Sequence, residues 1–197
     1  MTAETKALKR ELRSELIAAR ARLSQEQRFE RSRLVAERLD ALPLLAAARV
    51  VALYAALGTE VDVGATSRRL SARGVRCLFP RTVPGARRLL FCACEPFELV
   101  PGPLGAAEPP PSARLVALEE IDAFVMPGVG FSEDGLRLGR GGGYYDVTLK
   151  EAARAARVGV GYDLQLRPAL PREPHDVPLD AVVTESRTLL FTRSPRP

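Results

Sequence analysis

The residues with most chemistry in them lie together in Met126–Asp146, MPGVGFSEDGLRLGRGGGYYD. Gly139, Gly141, Gly142 and Gly143 carry no side chain, so their backbone N–H groups lie open to an anion such as phosphate. Arg137 and Arg140 add fixed positive charge whose fork geometry matches phosphate oxygens. Tyr144 and Tyr145 offer ring faces to a flat heterocycle, and Asp146 is a hard oxygen ligand of the kind Mg²⁺ takes. The glycine spacing is not a Walker P-loop, because no G-K-[ST] follows, and not the G-x-G-x-x-G of a dinucleotide site. Glycines alone would serve equally well in a tight turn. Their combination with two arginines, two tyrosines and a carboxylate is what points to a phosphate-binding loop.

Such a loop needs a strand to deliver it and a helix to follow it. Ile121–Met126 (IDAFVM) reads as a buried strand, and residues 143–157 are predicted helical, with a positive N-terminal end directed at the same anion. Open α/β sheets bind ligands at this end of their strands. Upstream, Leu8, Leu12, Leu16 and Ala19 recur every three to four residues and predict an amphipathic helix over roughly the first twenty residues. Ser24 with Gln27 is a capping-box signature for a second helix reaching about Asp40, and Pro43 ends any continuation. Strand Arg49–Tyr54, helix Asp62–Arg73 stopping at Gly74, and strand Val75–Pro80 form a parallel βαβ pattern. Leu89–Cys94 and Val158–Tyr162 read as further strands, with Ala181–Thr184 and Thr188–Phe191 as a terminal pair. Glu95–Ser112, rich in proline and glycine, reads as a long surface loop. The alternation predicts an α/β protein: one domain over residues 1–197, a mostly parallel sheet with helices on both faces, and the helices of residues 1–40 against that core.

Composition narrows the classes. With 46% hydrophobic and 27% charged residues over 197, the chain is that of a folded soluble domain, and no apolar run approaches the ~20 residues of a membrane span. The stretch Met1–Glu15 has charges of both signs and no apolar centre, which argues against a leader and for the cytoplasm. Cys77, Cys92 and Cys94 are odd in number without a framework, which suits free thiols in a reducing compartment. The net charge is +5, and only Lys6, Lys9 and Lys150 are lysines among 29 basic residues. Such an excess of arginine can serve nucleic acid or a small polyanion such as a nucleotide; the arginines are dispersed among glutamates and lack interleaved aromatics, and charge alone does not decide between the two. Nothing in the sequence specifies an oligomeric state.

The string GLRLGRGGGYYD, preceded by MPGVGF, closely resembles the signature of the 5-formyltetrahydrofolate cyclo-ligase family, also called 5,10-methenyltetrahydrofolate synthetases. The resemblance extends in order through KRELRSEL (Lys9–Leu16), TEVDV (Thr59–Val63), FPR (Phe79–Arg81), Gln165, LPREPHDVPLD (Leu170–Asp180) and VVTE (Val182–Glu185). It implies a fold similar to sugar-phosphate isomerases and CoA transferases. It implies conversion of 5-formyltetrahydrofolate to 5,10-methenyltetrahydrofolate, with ATP as co-substrate becoming ADP and phosphate, and Mg²⁺ as cofactor. Lys9, Arg13 and the loop Arg137, Leu138, Gly139, Arg140, Gly141, Gly142, Gly143, Tyr144 and Tyr145 would contact ATP. Glu60 and the run Arg140–Tyr144 would border the folate, Arg140 and Tyr144 would stand at the reacting groups, and Asp146 with Asp176 would hold Mg²⁺. Read without the resemblance, Lys9 and Arg13 merely share a helical face, Glu60 is a helix-start residue, and Asp176 with His175 a loop pair. Tyr54 is either core or a wall for the heterocycle. Two positions depart from many relatives: Ser132 where Asp is common, and Gly142 where some members carry a lysine. The alternative reading is a diverged homologue that binds nucleotide in another pathway.

Overall fold

The short apolar runs assemble into one sheet. The structure, a computed structural model, describes residues 3–83, 85–173 and 176–192; His175, read above as a loop pair with Asp176, lies outside them. Eight strands form the main sheet: β1 (Val50–Ala52), β2 (Arg76–Thr82), β3 (Leu89–Ala93), β4 (Arg114–Val116), β5 (Ala123–Pro127), β6 (Ala156–Val160), β7 (Ala181–Val183) and β8 (Thr188–Leu190). Their order is β8-β7-β6-β5-β1-β2-β3-β4. The five central strands from β7 to β2 are parallel. Antiparallel strands extend them on both sides, β8 on one and β3 with β4 on the other.

Side chains alternate across this sheet, so both faces are apolar and each needs a cover. Val51, Cys77, Val125, Val158 and Val183 face the helices α2 (Gln25–Asp40) and α4 (Gly64–Ala72), through Val35, Leu39 and Leu70. Val50, Ala52, Leu78, Phe124 and Val182 face the other way, toward Leu149 of α5 (Tyr144–Glu151) and toward Phe131, which precedes that helix. Helix α2 starts where the capping box predicts: Gln27 N–H donates to Ser24 Oγ (3.1 Å) and Ser24 N–H to Gln27 Oε1 (2.9 Å). A cap of this kind stabilises by ~1 kcal/mol.

Helix α1 (Ala3–Ala21) lies elsewhere. Its Leu16 packs on Val129, Leu136, Leu138 and Leu170, beside a three-stranded sheet of Gly130–Ser132, Arg137–Leu138 and Leu166–Arg167. That small sheet was not evident in the sequence, and it holds one flank of the Gly-rich loop. Lys9 and Arg20 on α1 are buried with Leu16, and Arg13 is half-buried, so one helical face from residue 9 to 20 looks inward.

Three expectations are corrected. Pro43 does not simply end helix: it opens a one-turn helix α3 (Pro43–Ala46), where a missing N–H is harmless. Helix α5 stops at Glu151 rather than residue 157. Ala156 and Arg157 pair in register with Ala123 and Phe124 of β5, and this pairing overrides the helical propensity of alanine and arginine. Glu95–Ser112 is not a bare loop. It holds a 3₁₀ turn (Pro96–Glu98) and a small ladder of Val100–Pro101 with Ala107–Glu108, anchored where Glu108 accepts from Thr82 N–H (3.0 Å) and Oγ1 (2.5 Å).

Candidate active site

A cavity of about 680 Å³ opens at the carboxyl ends of β1, β2 and β5, the size of an ordinary small-molecule site. Lys9, Arg13, Glu60, the whole run Arg137–Asp146 and Asp176 all line it, so the structure brings together every site residue expected from the sequence. They come from four places in the chain. The fold explains why.

The Gly-rich loop leaves β5 and the small sheet and ends where α5 begins. Gly141 (φ +102°) and Gly143 (φ +73°) sit in the left-handed region that other residues adopt at a cost, and Gly143 is the residue immediately before α5. At Gly139 a Cβ would stand 2.9 Å from the Arg137 guanidinium. Arg13 Nε donates to the Gly139 carbonyl (2.8 Å), fastening the loop to α1. Arg137 is almost fully buried; it donates to Asp146 Oδ1 (3.1 Å) and Pro127 O (3.4 Å), with its guanidinium 5.2 Å from the Tyr145 ring centre.

On one wall, Lys9 Nζ lies between Glu173 Oε2 (2.6 Å) and Asp176 Oδ2 (2.8 Å), and Asp176 Oδ2 also accepts from Glu173 N–H (2.8 Å). On another, Glu60 is buried: Oε1 accepts from Arg140 Nε (3.1 Å) and Nη2 (3.0 Å), and Oε2 from Leu57 N–H (3.0 Å). Arg20, buried, donates to Thr59 Oγ1 (3.0 Å) and Gly128 O (3.3 Å), tying the Glu60 loop to the turn after β5. Burial lowers the Arg20 pKa, and the Glu60 charge pulls it back. Burial raises the Tyr145 phenol, which the Arg137 charge partly offsets, and raises Tyr54 well above its ordinary value. Tyr54 donates its hydroxyl to Val61 O (2.7 Å), is buried in the core and is also among the residues that line the cavity.

Sequence reasoning missed several residues. Glu173 lies within LPREPHDVPLD, three residues before Asp176; its acid type inside that motif was the available signal, and its partner Lys9, far away in the chain, was not. Arg20 continues the spacing of Lys9 and Arg13 on α1 and was within reach of periodicity. The rim formed by Leu104, Ala106 and Glu108, with Arg87 and Thr82, had no local signal, since it is placed by pairing far away in the chain. Ser132, one of the two departures, is buried and serves its own turn by accepting Leu136 N–H (2.9 Å) and donating to Asp134.

Parallel strands ending in a cavity lined by a glycine-rich loop, arginines and carboxylates are the arrangement of an α/β enzyme site. The model of the 5-formyltetrahydrofolate cyclo-ligase family matches residues 5–185, and the chain belongs to that family. It is 36% identical over 173 residues to the 5-formyltetrahydrofolate cyclo-ligase of Escherichia coli K12, covering 85% of this chain and 95% of that one. It is 34% identical over 151 residues to the Mycolicibacterium smegmatis 5-formyltetrahydrofolate cyclo-ligase, covering 74% and 78%. Among solved structures, the Aquifex aeolicus 5,10-methenyltetrahydrofolate synthetase superposes with a TM-score of 0.82 at 32% identity, over 96% of each chain.

Proposed function

We infer that this chain cyclises 5-formyltetrahydrofolate to 5,10-methenyltetrahydrofolate with ATP, releasing ADP and phosphate. The observation that carries the reading is the single cavity in which the Gly-rich loop and its arginines face a buried carboxylate and aromatic walls. The chemistry asks for that pairing. A formyl oxygen leaves poorly; once it has attacked the γ-phosphorus and displaced ADP, it leaves as phosphate. The neighbouring N10 then bonds to the formyl carbon and gives up its proton. Phosphoryl transfer needs positioning and neutralised charge more than a protein nucleophile.

In this reading Arg13 and Arg137 hold the glycine loop, whose N–H groups with Arg140 and Lys9 receive the phosphates. Leu138 and Tyr145 complete the nucleotide wall. Glu60 accepts N–H groups of the pterin, and Arg140 and Tyr144 stand at the reacting atoms between the two substrates. Asp146 and Asp176 supply hard oxygens on the same cavity, a donor set that fits Mg²⁺, which takes one or two carboxylates and completes its shell with phosphate oxygens and water. Bound there with ATP, Mg²⁺ would neutralise charge on the phosphates. No helix among the described residues is long and apolar enough to cross a membrane, and all three cysteines are free thiols; we read the chain as a cytoplasmic enzyme acting on small molecules.

The test follows methenyltetrahydrofolate by its absorbance as it forms from 5-formyltetrahydrofolate, with ATP and Mg²⁺ each present or omitted. Product only when both are present is the expected result. Folded, nucleotide-binding protein without product would refute the reading and leave the diverged homologue.

A further inference from the structure

The Glu60–Arg140 pair joins the two halves of the cavity and differs in character at its two ends. The Glu60 side chain is 7% exposed and both of its oxygens are engaged, whereas Arg140 is 47% exposed and belongs to the Gly-rich loop. The guanidinium points two N–H groups at one carboxylate oxygen. The aminopyrimidinone edge of a reduced folate carries the same unit, an amino group and a ring N–H on one carbon, and presents two parallel N–H donors to a carboxylate. Arg140 and the folate are therefore competitors for one seat. On the other side, a polyphosphate arriving at Gly139–Gly143 competes with Glu60 for Arg140. Arg20 remains nearby, buried and fixed to Thr59 and Gly128, so positive charge stays beside Glu60 when Arg140 leaves.

We propose that Arg140 exchanges partners during the reaction cycle: it fills the pterin seat on Glu60 in the ligand-free enzyme, folate displaces it, and the released guanidinium passes to the phosphates. This rests on the function inferred above and adds a consequence, that the two substrates bind with positive coupling. Whichever binds first breaks the ion pair, and the second binds without that cost. Arg140 is half exposed, so the coupling lies at or just below the low end of the usual range, about three- to ten-fold.

The experiment is calorimetric titration of the non-hydrolysable nucleotide AMP-PNP with Mg²⁺, without and with saturating 5-formyltetrahydrofolate, on the wild type and on Glu60→Gln. In the wild type, folate should tighten AMP-PNP about three- to ten-fold. In Glu60→Gln, where the amide still accepts the Leu57 N–H but no longer holds a guanidinium, AMP-PNP should bind tighter without folate by a similar factor, and folate should add nothing. A role for Glu60 in structure alone predicts the opposite, weaker nucleotide binding. Wild-type protein that binds both ligands with no coupling would overturn the exchange and leave the function standing, and this arm needs no variant. If 5-formyltetrahydrofolate does not bind the wild type, the function and the exchange fall together.

Discussion

Removing the Lys9 ammonium is the sharpest test of how the site is held. Nζ lies 2.6 Å from Glu173 and 2.8 Å from Asp176, with side chains 8%, 8% and 11% exposed. Lys9→Met keeps the apolar stem and leaves two carboxylates facing each other without a cation. Deleting one partner of a buried pair costs ~3–5 kcal/mol, because the remaining charge is desolvated and uncompensated. Asp176 keeps the Glu173 N–H, and the cavity admits water, so we take the lower value, ~3 kcal/mol. For a chain of this size ~1 kcal/mol moves Tm by ~2–4 °C, so Tm should fall by ~6–12 °C in scanning calorimetry. Lys6→Met, one turn earlier and exposed, is the control and should move Tm by less than ~2 °C. Millimolar Mg²⁺ should recover part of the loss in Lys9→Met and do less for the wild type, since a divalent cation can take the place of the ammonium between the oxygens. A fall no larger than the control would refute the energetic reasoning. An equal response of both proteins to Mg²⁺ would remove Asp176 from the metal seat.

Asp146→Asn should raise the Mg²⁺ concentration needed for half-maximal turnover by ~10-fold or more, as in loss of one charged ligand or its support; an unchanged magnesium titration would exclude Asp146 as ligand. Gly143→Ala has open space for its methyl group but must hold φ at +73°, so a loss of ~1 kcal/mol in urea unfolding is expected, together with a raised KM for ATP as the loop N–H groups shift. Unaltered stability would show that the loop relaxes without strain. Burial raises the thiols of Cys77, Cys92 and Cys94, the last to about 11, and the phenols of Tyr54, Tyr145 and Tyr162. With folded values raised, the unfolded chain ionises first, so this contribution is intact below about pH 9 and is lost as pH rises through the folded values. The urea midpoint should hold from about pH 7 to 8.5 and drop by about pH 10.5; a flat midpoint across that span would contradict the burial of these groups.

The sheet was legible because its strands are short β-branched runs buried on both faces, and because helices of the right period lie between them. Ser24 and Gln27 announced α2 through chemistry confined to four residues. The Gly-rich loop was legible for the same local reason: its glycines, arginines, tyrosines and Asp146 are contiguous. Lys9, Arg13 and Glu60 were different. Periodicity placed the first two on one face of α1, and only the family resemblance directed that face at the site. What stayed hidden depends on contacts distant in sequence. Glu108 anchors the cavity rim through Thr82, 26 residues away, and Ala156 is a strand residue because β5 offers it a partner. Lys9 meets Glu173 across 164 positions. No window of neighbouring residues contains these facts.

The pairing of charges in the site bears on what it can select. Lys9 is matched by Glu173 and Asp176, Arg137 by Asp146, and Arg140 by Glu60. Charges on a cavity wall are partly stripped of water, so leaving them single would destabilise the ligand-free protein, and the fold gives each of these three cations a carboxylate. A bare anion gains little from such a site, because each cation it captures orphans a carboxylate. A ligand set of both signs does better. In the proposed function phosphates would receive the cations, while a divalent ion and the N–H edge of a heterocycle would receive the carboxylates. On the function proposed above, the same pairs that stabilise the cavity would discriminate against inorganic phosphate and favour a magnesium nucleotide together with an N–H-bearing ring, a selectivity that rests on three ion-pair clusters rather than on any one residue.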